Sequence, residues 1–268
     1  MNSMADPKSR YGKLWSRREL ILALFLYCQI PFNHTNSRNN EVKRLATDIG
    51  RTPGSVARKL GNFGSFDPLL AAKGIKGLIH AGKGDREVWD EYNGHWDKLV
   101  KDTNSLVLEA DRFSNETNQV NAFDLESNIV RPQGPTSEYR NILTRRYQSF
   151  FRRAVLSSYN FSCCICGLDL PELLIASHIL PWSENDEART DPRNGLCLCA
   201  IHDKAFDSGL ISVDTEHKIQ FSNIIKKSQN KYVGVFLLEF EGKSIQLPHR
   251  FSPDPKYLSW HLSNRFLS

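Results

Sequence analysis

The spacing of apolar and polar positions divides the chain into two stretches of different rhythm. From Trp15 to about residue 105 the apolar residues recur at helical intervals. "RRELILALFLYC", residues 17–28, is apolar on all but a narrow face, as a core helix would be. "EVKRLATDIG" (41–50) predicts a helix closed by Gly50, and "RTPGSVARKLGNF" (51–63) a second, with Thr52 as N-cap and Pro53 in the first helical position. "FDPLLAAKG" (66–74) repeats the device with Asp67, Pro68 and Gly74, and "DREVWDEYNGHWDKLV" (85–100) predicts one closing helix.

The second stretch mixes periods. Residues 106–138 are polar and aperiodic and end in a Pro/Gly cluster, which reads as a linker. "YRNILTRRYQSFFRRAVLSSYNFSC" (139–163) is helical in pattern. "LLIASHILPW" (173–182) and "GLCLC" (195–199) predict two short strands, with a helix starting in "AIHDKAFD" at 200–207. "GLISVDTEHKIQFS" (209–222) alternates as a β-hairpin around Asp214–His217, and "LEFEGKSIQLP" (238–248) extends the strand character. "DPKYLSWHLSNRF" (254–266) predicts a last helix capped at Asp254 and opened by Pro255. The expected organisation is α+β: a polar tail at 1–14, a helical domain at 15–105, the linker at 106–138, and a mixed domain at 139–268.

Composition narrows the setting without naming a chemistry. The 268 residues are 40% hydrophobic and 24% charged, with a net charge of +5, which permits a polyanionic partner. The longest apolar run, residues 20–30, is too short to cross a bilayer, and no small-residue cleavage site follows it, so a cytoplasmic protein is expected. Five of the six cysteines fall in two tight groups, 163–166 and 197–199, a grouping suited to metal binding or packing in a reduced compartment.

The helix pair over 41–63 has the form of a helix-turn-helix, placing Arg51, Ser55, Arg58 and Lys59 as candidate DNA contacts; a small bundle with a solvated basic face would look the same. The helix after the linker carries Arg145, Arg146, Arg152 and Arg153, and its basic side suits a phosphate backbone.

Chemistry concentrates in "IASHILPW" and "RNGLCLCAIHDKAFD". His178 ends a strand, Asn194 stands in the loop before the next, and His202 sits at the start of a helix. Strand–loop–strand–helix carrying His, Asn and His is the arrangement of a ββα metal nuclease. Phosphodiester hydrolysis needs a base near neutral pH to take a proton from water, and an imidazole fits. It also needs a cation against the developing negative charge. Asn194 would tie the loop so that the strand histidine faces the phosphate.

The motifs "QSFFRRAVLSSYNFSCCICGL", "ASHILPW", "NGLCLCAIHDKAFDSGLI" and "FEGKSIQLPHRFSPDPKYLSWH" resemble the HNH endonuclease family, in the branch common among bacterial restriction-type nucleases. The resemblance runs from about Tyr147 to the end of the chain. It implies cleavage of double-stranded DNA with Mg²⁺ or Mn²⁺, leaving a 5′-phosphate, with His178 as general base, Asn194 as the middle residue and His202 as metal ligand. A role in restriction or antiviral defence follows, as does a homodimer for cutting both strands. The region from "WSRRELILALFLYCQIPF" to "DREVWDEYN" is similar to one often fused to such nucleases.

Two departures shape the expectation. Many relatives carry Asp or His before the base, where this chain has Ser177. Asp203 or Asp207 would then complete the metal site, although Asp207 lies five residues after His202 rather than the four one helix face prefers. Relatives often brace the unit with two zinc-binding CxxC pairs. Here Cys163 and Cys166 fit the first, while Cys197 and Cys199 form only a strand-spaced pair, which favours buried reduced thiols over structural zinc. Two rival functions stay open: a DNA-binding regulator on an inactive nuclease fold, and a nuclease gated by a protein activator through its helical domain.

Overall fold

The computed structural model describes residues 12–75, 82–114 and 136–268. Residues 1–11 of the expected tail and 115–135 of the expected linker lie outside the described residues. The chain is α+β and divides into two compact units, Met1–Phe150 and Phe151–Ser268.

In the first unit α1 (Arg17–Gln29) is buried along most of its length, as its nearly unbroken apolar sequence requires. Ser16 starts it with a capping box: Glu19 N–H donates to the serine hydroxyl, and the Glu19 carboxylate accepts from Ser16 N–H. α2 (Asn40–Asp48) and α3 (Pro53–Phe66) follow, joined through Gly50 at φ +65°, where a side chain would be strained. The predicted caps are present: Thr52 accepts from Ser55 N–H, and Asp67 opens α4 (Pro68–Ala72) by accepting from Leu69 N–H. The single helix expected over 85–100 is two, α5 (Lys83–Tyr92) and α6 (Trp96–Ser114), because Gly94 takes φ +89° and breaks the ladder between them. α6 also carries helix beyond residue 105, into the stretch read as linker.

α7 (Thr136–Ser158) leads into the second unit. There β1 (Leu174–His178) pairs antiparallel with β2 (Gly195–Cys199), in a register that sets His178 opposite Gly195 and Leu174 opposite Cys199. α8 (Ala200–Asp207) leaves β2 directly and packs on both strands. The hairpin is β3 (Ile211–Val213) with β4 (Ile219–Phe221), followed by α9 (Asn223–Lys226) and α10 (Lys231–Phe236). The strand expected over 238–248 does not form. A 3-10 turn at Leu238–Phe240 and Gly242 at φ +69° bend the chain, which meets the hairpin at an isolated bridge, Lys218 to Ser244, and through Gly242 N–H donating to the Ile219 carbonyl. α11 (Pro255–Asn264) closes the unit with Asp254 as its cap, as the sequence predicts.

The core of this unit joins α7, the β1–β2 pair, α8 and the hairpin through Val155, Leu196, Leu198, Phe206 and Ile211, each 1% exposed or less. Burying each side chain of this size stabilises the fold by roughly 1.5–3 kcal/mol. Gly195 sits where α7 comes closest. A Cβ there would lie 2.3 Å from Val155 Cγ2 and 3.0 Å from the Phe151 ring, so only glycine admits the helix. Phe151, let in by that gap, stacks on the His178 ring across the strand pair, at 3.6 Å between centroids.

Candidate active site and metal centre

A cleft of about 520 Å³ opens beside β1 and α8, lined among others by Ser177, His178, Trp182, Asp203 and Asp207. His178 is fixed on three sides. Phe151 stacks on its face, Trp182 meets it edge-on at 5.7 Å, and its Nε2 lies 3.0 Å from the Arg189 carbonyl. A carbonyl only accepts, so Nε2 carries the proton and Nδ1 keeps a free lone pair. Burial lowers the His178 pKa from its ordinary value, against smaller raising effects from the Arg189 carbonyl and Asp207, which keeps the ring neutral near pH 7.

Asn194 builds the loop that supplies that carbonyl. It is 1% exposed; its Oδ1 accepts from Leu180 N–H at 2.8 Å, and its Nδ2 donates to the Leu180 and Ala188 carbonyls at 2.9 and 3.1 Å. The Arg189 side chain closes the same loop by donating to the Trp182 carbonyl while its guanidinium lies over the indole. Every polar atom of the Asn194 amide group is spent on the backbone, as a positioning residue requires.

The two carboxylates come from α8, four residues apart, and so share one helix face. The Asp203 pKa is raised, first by burial and further by the Asp207 charge, with the Ser177 hydroxyl opposing. Paired carboxylates that repel each other in a partly buried cleft form a hard oxygen donor set suited to a divalent cation, whose charge would relieve that repulsion.

His202 faces elsewhere. Its Nδ1 lies 3.1 Å from Cys199 Sγ and 3.7 Å from Cys163 Sγ, and Cys166 Sγ is 3.9 Å from Cys199 Sγ. These four ligand atoms all lie within 4.8 Å of one another and can hold a metal ion. Tetrahedral ligands at about 2.3 Å from a metal stand roughly 3.8 Å apart, close to these separations. Two arrangements differ from the expected ones. The His202 ring lies with the sulfurs rather than with the carboxylates, because residues adjacent on a helix differ by roughly 100° in direction and α8 turns His202 inward. The soft set is Cys163, Cys166, Cys199 and His202, without Cys197. Cys199 is the N-cap of α8 and His202 its third residue, positions whose side chains meet at a helix start. Cys197 stays within β2, 0% exposed, with burial holding its thiol well above the usual range.

Residues 163–214 match the family model described as HNH endonuclease. The chain carries an HNH endonuclease domain. No curated protein matches the chain. The matched segment contains both strands, α8 and both ligand sets, and the relation to a DNA-cleaving family makes DNA the implied substrate of this HNH domain.

The basic residues expected to touch DNA are placed differently from one another. Arg51 is 6% exposed and committed internally: it pairs with Glu19 and donates to the Lys13 and Leu14 carbonyls at 2.8 and 2.7 Å. Lys59 pairs with buried Asp85 at 2.7 Å and lies over the Trp15 ring. Ser55 is half-buried in the first turn of α3, and Arg58 is exposed. Two of the four helix-turn-helix candidates thus hold the bundle together. On α7, Arg145 and Arg152 are exposed, with Arg152 donating to the Leu174 carbonyl at 2.9 Å, and Arg146 and Arg153 are half-buried.

Two cleft residues of the second unit, Lys204 and Arg265, escaped sequence reasoning, and His261 lines the same cleft as a packed ring. His261 is 2% exposed, stacked on Phe206 at 3.7 Å and bonded through Nδ1 to the Ser212 hydroxyl at 2.9 Å. Burial pushes its pKa down to about 4, so it stays neutral as part of the floor. Only the return of α11 onto β3 brings His261 and Arg265 there, and the local pattern of "SWHLSNRF" carries no sign of it. Among the described residues, no helix is long and apolar enough to cross a membrane.

Proposed function

We propose that this protein is a metal-dependent DNA endonuclease that hydrolyses phosphodiester bonds at the His178 cleft. The observation that carries this reading is the meeting of a tautomer-fixed, neutral imidazole with two carboxylates of one helix face in one cleft. His178 Nδ1 takes the proton from the attacking water, while Phe151, Trp182 and the Arg189 carbonyl stop the ring from turning away. Asn194 holds the loop and so the carbonyl that sets the tautomer. Asp203 and Asp207 would hold Mg²⁺ or Mn²⁺, which supplies positive charge against the phosphate and the leaving 3′-oxygen. The bond from phosphorus to the 3′-oxygen breaks and that oxygen takes a proton from solvent, so the products are a 5′-phosphate and a 3′-hydroxyl.

The four-residue soft set would hold zinc in a structural role, since all its ligand positions come from the protein and none is left for a substrate. Arg145 and Arg152 on α7 would contact the DNA backbone, and Arg58 offers an exposed charge in the helical unit. The restriction-type likeness of the motifs favours a role in restriction or defence against foreign DNA.

The rival reading, an inactive nuclease fold, rests on Ser177 in place of an acid. Asp203 offers a carboxylate to the same cleft and removes that support. Incubating plasmid and phage DNA with the protein in Mg²⁺, Mn²⁺ or EDTA tests the proposal. Cutting that needs the metal and is lost in His178→Ala, by roughly 10²–10⁴-fold for a removed general base, is the expected result. Equal cutting by His178→Ala, or none by the wild type on any of these DNAs, overturns it.

A further inference from the structure

We propose that Arg265, at the end of α11, is the residue that clamps the substrate phosphate in the His178 cleft, so that the active site extends beyond the 163–214 segment. This inference rests on reading the cleft as the hydrolase site. Arg265 lines the cleft with His178, Asp203 and Asp207 although it lies more than fifty residues further along the chain.

Its placement is built into the fold. Gly209 ends α8 at φ +69°, and a Cβ there would fall 2.1 Å from the Arg265 carbonyl oxygen. Leu267 N–H donates to the Gly209 carbonyl at 2.9 Å, so the backbone around Arg265 is docked two residues from Asp207. From the other side, Arg265 N–H donates to the carbonyl of His261, itself pinned by Ser212 and Phe206. The backbone is fixed while the side chain is exposed, and among the described residues its guanidinium makes no ion pair or hydrogen bond.

The charges give it a partner. The cleft holds two carboxylates and two cations, Lys204 and Arg265. A divalent ion on Asp203 and Asp207 would balance those acids, leaving the two cations for an anionic substrate. Lys204 stands on α8 directly beside Asp203 and offers only a single point charge. Arg265 offers the planar fork that meets two oxygens of one phosphate.

The test uses the full chain as wild type, Arg265→Ala, Arg265→Lys and His178→Ala. Single-turnover cutting of supercoiled plasmid in Mn²⁺ is measured beside binding of a 24-base-pair duplex in EDTA over a series of NaCl concentrations. A clamp predicts Arg265→Ala slower by roughly 10²-fold, as when one transition-state donor is removed. It also predicts a slope of log affinity against log salt shallower by about 1. Arg265→Lys should restore the slope but not the rate, a separation that a purely structural role would not produce. Arg265→Ala cutting within about twofold of wild type, with an unchanged slope, overturns the clamp. If the wild type does not cut under any metal the hydrolase reading fails by itself, and the salt slope alone then decides whether Arg265 meets phosphate.

Discussion

His202 and Asp203 are neighbours in sequence yet belong to two sites of opposite character. On the inner side of α8 lies a set of three sulfurs and one imidazole nitrogen, enclosed apart from the exposed Cys166. On the open side lie Asp203 and Asp207 in a cleft shared with His178. The first set is soft and fully supplied by protein, suited to zinc; the second is hard and leaves room for water and phosphate, suited to Mg²⁺ or Mn²⁺. The first turn of α8 meets the 163–166 turn through the soft set, and the same rigid helix presents Asp203 in that turn and Asp207 one turn later. A structural metal would therefore fix where the catalytic one sits, without either sharing a ligand.

Removing a soft ligand should produce the largest effect and break both sites together. Cys199→Ser or His202→Ala is expected to lose one tightly bound metal per chain and, with it, much of the second unit's stability. Structural zinc in small domains contributes on the order of 10 kcal/mol to folding. Metal content by mass spectrometry and the thermal unfolding midpoint check this. Variants that lose the metal yet melt like wild type would show that the soft set is not structural.

Removing a hard ligand should break one site alone. Asp203→Asn is expected to lose cutting by roughly 10²–10³-fold, the scale of a lost transition-state charge interaction, while metal held by the soft set and melting stay unchanged. Zinc loss in this variant would mean that the two sites are not separable. The pH profile sharpens the same point. Burial lowers the His178 pKa, and the ring is a base only when neutral, so cutting should persist below the ordinary imidazole value and fall only as pH drops through the lowered one. A rate that halves at or above pH 6.5 would contradict this.

A smaller effect isolates the positioning of His178. Gly195→Ala would place a methyl 2.3 Å from Val155, and the crowding should cost about 1–3 kcal/mol. Because Phe151 lies against the same gap and stacks on His178, the variant should cut more slowly with both metals still bound. Wild-type melting and rate together would remove the reason given for glycine at this position.

Much of this was legible locally. The caps at Thr52, Asp67 and Asp254, the two strands and the hairpin all follow from short-range chemistry in which a few residues satisfy each other's backbone groups. Four features were not, each for a geometric reason. The break at Gly94 looked like continuous helix because the apolar period runs through it. Spacing from His202 puts Asp207 five residues on and off its face, whereas the pair sharing a face is Asp203 and Asp207. The cysteine spacing suggests two cysteine pairs, although Cys199 and His202 stand in the same three-residue relation as Cys163 and Cys166. Arg265 and His261 depend on α11 returning to β3, which no local pattern encodes.

The smallest effect distinguishes most finely between the two ways of choosing soft ligands. Cys197 and Cys199 are both buried, two apart on one strand, and alternation alone gives their side chains the same direction. They part because β2 ends at Cys199, whose backbone turns into α8 at φ −74°, ψ 162° and carries its thiol to His202. Cys197 remains paired with Ala176 in the sheet, and its carbonyl accepts from Cys164 N–H at 2.8 Å, a bond no side-chain change removes. Cys197→Ala should therefore keep its metal and its cutting rate and lose only about 1 kcal/mol, the scale of one small buried group. Metal loss on replacing Cys197, with His202→Ala still holding the ion, would reverse the assignment and free His202 for the role its sequence position first suggested.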